Sequence, residues 1–411
     1  MRPSILFVSH QQPWPLSSGT PVRIYHILNA LLEDYSVTLV TATSKNAGDL
    51  EEECCPLYAK CERVIKIPAF EFRHALDRSF EYFASGRERL SSLISSSRPS
   101  IIRRWDSTEC VNVLQRLNAE EQFSFVWCER SYMAQLAFDA GLQNIVVDLD
   151  DVESLAMRRR LAVSKWSWSK WVDHIELYKL TRYEQRLPTL YRRVAVCKSD
   201  DVQHFPRSRD RVVVIPNGAT ACAEAIRSHE QDGNLLFVGL MCYEPNCDAV
   251  KFFSDEIAQH LIREGSRFSL NIVGRDPSAE VQGLHDGERY IVHGGVPDLS
   301  DYYNRASVVI APIRLGSGTC LKVLEALMQG KAVVATTEAC AGLELRPGID
   351  VFIADSPQEF ATACLELLND PVARERIGRS GRARVLDQFD WCKIEAGVKE
   401  IAENLMHEDE S

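Results

Sequence analysis

Short apolar runs rich in β-branched residues alternate along the chain with stretches whose apolar positions recur every three or four residues. Strands buried on both faces of a parallel sheet and helices covering that sheet leave this pattern. In the first half the runs ILFVS (Ile5 to Ser9), SVTLVTA (Ser36 to Ala42), RVIKI (Arg63 to Ile67), FSFVWC (Phe123 to Cys128), NIVVDLD (Asn144 to Asp150) and RVAVC (Arg193 to Cys197) read as strands. VVVIPNG (Val212 to Gly218) closes that half with a Pro-Asn-Gly breaker. In the second half NLLFVG (Asn234 to Gly239), FSLNIVG (Phe268 to Gly274), YIVHGG (Tyr290 to Gly295), SVVIAPI (Ser307 to Ile313) and KAVVATT (Lys331 to Thr337) read likewise. The spacing predicts an α/β chain of two Rossmann-like parallel-sheet units, 1–218 and 219–385, with a hinge near 216–232. Trp391, Ile394, Val398, Ile401 and Leu405 recur at helical spacing, so 386–411 is expected to be a helical tail that packs back on the first unit.

Composition excludes several classes. With 411 residues, 45% hydrophobic and 26% charged, the chain is ordinary globular material for two or three domains. No run reaches the roughly 20 apolar residues of a membrane-spanning helix. MRPSILFVSH is followed by QQPWP, without a small-residue cleavage site, so the opening is expected to be a strand in a cytoplasmic protein. Thirteen cysteines include no Cys-x-x-Cys pair, which points to free thiols and away from structural zinc. The net charge of −11 argues against a nucleic-acid binder. Its distribution is uneven: 29 basic against 27 acidic residues up to residue 220, then 18 against 31. The first half therefore suits an anionic partner.

Ligands of parallel sheets bind at the carboxyl ends of strands, so the residues after each run carry the candidate chemistry. After the first strand, Ser17, Ser18, Gly19 and Thr20 precede a helix starting near Pro21. Free amides there suit a phosphate or sugar oxygen, and a simple Thr cap with Pro in the first turn is the other reading. In APIRLGSGTCLKVLEALMQGKAVVATT, Gly316, Ser317, Gly318 and Thr319 form a Gly-x-Gly loop before a helix from about Cys320 to Gln329. Such a loop can cradle a diphosphate, with Lys322 adding charge and Glu325 taking ribose hydroxyls. It is neither a Walker loop nor a Gly-x-Gly-x-x-Gly dinucleotide fingerprint. NIVVDLDDVES puts Asp148, Asp150 and Asp151 at a strand end, where carboxylates can bind acceptor hydroxyls or raise one another's pKa. A capping role for Asp151 or Ser154 is the plainer alternative. From 157 to 193, ten basic residues stand against three acidic ones, interleaved with Trp166, Trp168, Trp171, Tyr178, Tyr183 and Tyr191. The segment suits an anionic acceptor, lipid headgroups or a sugar face, unless its aromatics simply pack on the sheet.

These residues resemble the family-four nucleotide-sugar glycosyltransferases, which have the GT-B fold, and most closely a sugar-transferase subgroup of bacterial exopolysaccharide loci. The resemblance runs through HQQPWPLSSGTPVRIYHIL, YEQRLPTLYRRVAVCKSDD, VVVIPNG, LLFVGLMCYEPNCDAV, GSGTCLKVLEALMQGKAVVAT, GGVPDLSDYYNRASVVIAPIR and QFDW. It implies a second-half donor domain and a first-half acceptor domain facing a cleft. It further implies retaining transfer from a nucleoside-diphosphate sugar, such as a UDP-sugar, to a hydroxyl acceptor without metal or cofactor. Gly19, Gly239, Gly316, Ser317, Gly318, Thr319 and Glu325 would then bind the donor. Two departures stand out. The family's first Glu is Ser317 here, and its Arg and Lys after the first donor-domain strand fall on Leu240 or Met241 and Pro245 or Asn246. Arg314, Lys322 and Arg23 become the replacement cations. Many members carry a His that maps within two residues of Asp150, which makes Asp150 the acceptor-side catalytic candidate and Asp148, Asp151 and Arg23 its acceptor-binding neighbours. A nucleotide-sugar epimerase and a silent GT-B scaffold remain as other readings, and peripheral membrane contact is left open.

Overall fold

The computed structural model describes residues 2–16, 18–43, 55–68, 98–163, 170–220, 230–316 and 318–407. The chain divides into two compact units, residues 1–216 with 394–411, and residues 217–393.

In the first unit the described strands are β1 (Ser4–Ser9), β2 (Ser36–Thr43), β3 (Arg63–Pro68), β4 (Val126–Glu129), β5 (Ile145–Leu149), β6 (Arg193–Val196) and β7 (Val212–Val214). They form a parallel seven-stranded sheet in the order β3-β2-β1-β4-β5-β6-β7. The order reverses between β1 and β4, which opens a crevice beyond their carboxyl ends. Every residue of β4 and β5 is buried, as a central parallel strand requires. Helices α1 (Gly19–Asp34), α2 (Ser131–Asp139), α3 (Glu153–Val163) and α4 (Lys170–Glu184) belong to this unit. α1 buries Arg23, Ile24, Ile27, Leu28, Leu31 and Leu32 along one stripe. It begins two residues before Pro21, with Ser18 at the N-cap and no capping side chain.

In the second unit β8 (Asn234–Val238), β9 (Ser269–Val273), β10 (Tyr290–His293), β11 (Val308–Ala311), β12 (Val333–Ala335) and β13 (Phe352–Ile353) form a parallel sheet in the order β10-β9-β8-β11-β12-β13. Its reversal lies between β8 and β11. Helices α5 (Glu244–Phe252), α6 (Leu321–Met328) and α7 (Pro371–Gln388) belong to this unit, α6 packing on β11 and β12 and α7 on α6. The expected single tail helix from Val385 to Leu405 is broken. Ala219 donates to the Phe389 carbonyl at 2.9 Å and pairs as an isolated parallel bridge with Asp390, which takes that backbone out of helical geometry. α8 (Trp391–His407) then starts afresh, and its residues from Ile394 onward count with the first unit. There it buries Ile394, Val398, Ala402 and Leu405, and Glu395 accepts from His26 at 2.6 Å and Asn29 at 3.2 Å. Among the described residues every cysteine is a free thiol. No described helix is long and apolar enough to cross a membrane.

Candidate functional site

The second unit presents its loops at the β8/β11 reversal. Gly239 ends β8 and Gly274 follows β9, and their backbones touch: a Cβ on Gly274 would sit 1.6 Å from the Gly239 carbonyl oxygen. Only glycine permits that approach. The Asn246 amide donates to the Leu240 carbonyl at 2.8 Å, and both Met241 and Asn246 are buried. The positions at which the resemblance leads one to look for cations thus hold a neutral, internally bonded turn. After β11, Gly316 has φ +130°, a conformation that favours glycine. Ser317 lies outside the described residues. Gly318 and Thr319 are half-exposed, and α6 starts at Leu321 with no capping side chain on Cys320. The N-terminal amides and dipole of that helix therefore bear on whatever the loop holds.

Lys322, in the first turn of α6, extends over the Phe237 ring at 5.6 Å. Glu325 follows one turn later and accepts no side-chain hydrogen bond among the described residues. Burial pushes its carboxyl pKa up while Lys322 pulls it back. Beside it the Tyr303 hydroxyl is buried without a hydrogen-bond partner. A desolvated carboxylate and a hydroxyl with no partner among the described residues are unfavourable alone, and become favourable once a polyhydroxyl ligand supplies their hydrogen bonds. Arg314, expected to share the cationic role, is turned elsewhere. Its guanidinium donates to Asp248 at 2.7 and 3.1 Å, lies 3.8 Å from Glu256 and stacks on Phe252 at 4.1 Å.

In the first unit the polar groups gather at the β1/β4 reversal. His10 follows β1, and its Nδ1 meets the buried carboxylate of Glu129, the last residue of β4. Trp105 and Tyr132 stack on each other at 4.6 Å, and both meet the His10 ring edge-on, at 5.1 and 5.4 Å. Arg130, next in the chain, has φ +74°, an uncommon backbone for a non-glycine residue. From there its guanidinium reaches Glu129 at 3.0 Å, Asp150 at 3.1 Å, Glu153 at 3.3 Å and Asp151 at 3.5 Å. Thr20, at the start of α1 beside Gly19, donates to Asp150 at 3.2 Å. Asp150, Asp151, Gly19 and Thr20, read separately in the sequence, thus converge here. The Ser154 amide donates to Glu184, at 3.2 and 3.3 Å. Among the described residues no three His, Cys, Asp or Glu side chains are placed to hold a metal ion.

Arg23 and Asp148, both expected at a ligand, are 0% and 1% exposed and bound to each other. The Arg23 guanidinium donates to Asp148 at 2.6, 3.0 and 3.1 Å and to the Ile215 carbonyl at 2.9 Å. Burial alone would lower the Arg23 pKa, but Asp148 outweighs it and the arginine stays charged. The pair ties α1 and β5 to the segment by which the chain leaves this unit, and no charge is left over for a substrate.

His10, Glu129, Arg130 and Tyr303 were not singled out in the sequence. The available signal was position, since His10 and the Glu129-Arg130 pair directly end their strands.

Four carboxylates share one arginine, and Glu153 among them is deeply buried. Burial first, countered by Arg130 and reinforced by Asp151, Glu184 and Asp150, raises its pKa from 4.5 to about 8. Between those values the unfolded chain loses a proton that the folded chain keeps, so stability falls as pH rises through the window. Glu153→Gln is expected to flatten this decline, with a relative gain of roughly a few kcal/mol at the alkaline end. Urea unfolding across the window checks it, and an unchanged slope in the variant would place the titration on another group.

Residues 232–370 match the family model "Glycosyl transferases group 1". No curated protein matches the chain. Among solved structures, the chain is similar to the sucrose-phosphate synthase of Thermosynechococcus elongatus, at 17% identity and TM-score 0.71, over 99% of this chain and 100% of that one. It is similar to a glycosyltransferase of Rickettsia africae at 14% identity and TM-score 0.62, over 98% and 99%. Anabaena HepE, solved with UDP and glucose, is similar at 14% identity and TM-score 0.62, over 98% of both chains. At these identities the likeness shows the fold, two Rossmann-like parallel-sheet domains of the GT-B type.

Proposed function

We propose, from a Glycosyl transferases group 1 domain at residues 232–370 in a chain of GT-B fold, that the protein is a glycosyltransferase moving a sugar from a nucleoside-diphosphate sugar to an acceptor hydroxyl. The observation that carries the donor assignment is the Gly316–Glu325 segment at the sheet reversal. It joins Gly316 at positive φ, an uncapped helix start, Lys322, and Glu325 beside the Tyr303 hydroxyl, which has no partner among the described residues. The HepE structures with UDP and with UDP-glucose favour a UDP-sugar as the donor. In this reading the loop amides and Lys322 offset charge on the leaving diphosphate, and Glu325 takes the ribose hydroxyls. The resemblance favours retention without a metal: the acceptor hydroxyl attacks on the face the leaving group departs from, and a diphosphate oxygen takes its proton. The first-unit cluster around Arg130 orients the acceptor through Asp150 and Asp151.

Calorimetry with UDP, GDP and TDP and their sugars tests the donor. Glu325→Ala is expected to weaken the preferred nucleotide about tenfold to a hundredfold, the equivalent of a lost charged hydrogen-bond pair of roughly 1.5–3 kcal/mol. A folded variant with unchanged affinity refutes the ribose role. On the acceptor side, Asp150→Asn is expected to slow transfer by about an order of magnitude while nucleotide affinity stays put, because the two groups lie in different units. Measuring both on one preparation decides; transfer at the wild-type rate removes Asp150 from the acceptor site.

A further inference from the structure

Helix α4 is inside-out. Its buried residues are Asp173, Glu176, Leu180 and Glu184, whereas a helix covering a sheet ordinarily buries an apolar stripe. The buried acids are occupied: Glu176 accepts from the Ser100 amide at 2.8 Å and from Lys179 at 3.3 Å, and Glu184 accepts from the Ser154 amide and lies 3.4 Å from His204. With the acids inside, the outer face holds Trp171, His174, Ile175, Tyr178 and Arg182. At 100° per residue these fall within an arc of about 100° and a length of about 16 Å. Trp171 is 64% exposed, Tyr178 60% and Ile175 39%. Arg182 donates to the Tyr178 hydroxyl at 2.7 Å, and neither Arg182 nor the exposed Arg186 beyond the helix end pairs with a carboxylate among the described residues. All the acids of α4 lie on the opposite side, so the outer face is purely aromatic, aliphatic and basic.

We propose that this face docks the first unit onto an anionic phospholipid surface. Tryptophan and tyrosine favour the headgroup boundary, Ile175 adds apolar burial, and the unpaired guanidinium groups complement lipid phosphate. The charge pattern selects this occupant over two others. A second copy meeting the face across a two-fold axis would set His174, Arg182 and Arg186 near their own images. Nucleic acid would take up the basic groups but leave Ile175 without an apolar partner.

Co-sedimentation of the full chain with vesicles tests this without sugar substrates, so the result stands apart from the transferase reading. Vesicles of phosphatidylglycerol and phosphatidylcholine in about 1:2 proportion are expected to carry the protein down, with binding that falls as salt rises, and phosphatidylcholine alone is not. Trp171→Ser/Ile175→Ser/Tyr178→Ser is expected to raise the lipid needed for half-binding about tenfold or more, and Arg182→Gln/Arg186→Gln to remove most of the salt dependence. Wild-type urea midpoints followed by circular dichroism show that both variants are folded. The proposal is overturned if wild-type protein stays in the supernatant, if it binds neutral and anionic vesicles alike, or if the triple variant binds like wild type. Sedimentation velocity adds one more overturning outcome: a dimer that the triple variant splits, without vesicle binding, would make the face a self-contact.

Discussion

Replacing Arg23 by Met is expected to destabilise the first unit by about 3–5 kcal/mol, because it leaves the Asp148 carboxylate buried without its counter-charge. The single variant also loses the bond from the guanidinium to the Ile215 carbonyl, and with it the tie between α1 and the chain's exit from the unit. Urea unfolding followed by tryptophan fluorescence is a suitable measure, since Trp14, Trp105, Trp127 and Trp171 lie in the first unit. Adding Asp148→Leu should restore much of the loss, as an apolar pair of similar volume often matches a buried ion pair. A diphosphate-binding role for Arg23 makes the opposite forecast, with stability kept and nucleotide affinity reduced. That outcome would return Arg23 to the substrate site.

Arg23 also shows where sequence reading stops. Its place in a loop-to-helix segment suggested a ligand cation, but it shares the apolar stripe of α1 with Ile24, Ile27 and Leu31, and that spacing already pointed inward. Strands were the most legible feature. Buried parallel strands leave continuous apolar runs, and among the described strands only the two-residue β13 went unread, too short to leave one. The FSFVWC run begins as coil because regular pairing in β4 starts at Val126. The glycine loop was legible because its parts lie within ten residues of chain, from Gly316 to Glu325. The first-unit cluster was not. His10 and Glu129 are 119 residues apart and meet only because β4 lies against β1, and strand order is not written in any local pattern. Likewise the sequence left open whether the aromatic segment faces a ligand or packs on the sheet. Tyr191 is buried that way, but the outward turn of Trp171 and Tyr178 follows from where Glu176 and Glu184 find backbone amides to accept from.

The same long-range placement separates the two candidate cations of the proposed donor site. By position Arg314 and Lys322 flank the glycine loop equally, yet Arg314 is held by Asp248, Glu256 and the Phe252 ring, while Lys322 has no carboxylate within ion-pair distance among the described residues. Lys322→Ala is therefore expected to lower turnover about a hundredfold to a thousandfold, the loss seen when one donor to a developing anion is removed. Nucleoside affinity should change far less, because the charge that Lys322 offsets grows mainly as the sugar–phosphate bond breaks. Arg314→Ala should leave turnover near wild type and cost only a partly exposed ion pair, roughly 1 kcal/mol or less. Steady-state kinetics of both variants, with Lys322→Arg as a charge-preserving control, separate the two. Were Arg314→Ala the slow enzyme and Lys322→Ala the normal one, Arg314 would have to leave Asp248 on donor binding, and the cationic role would pass to it.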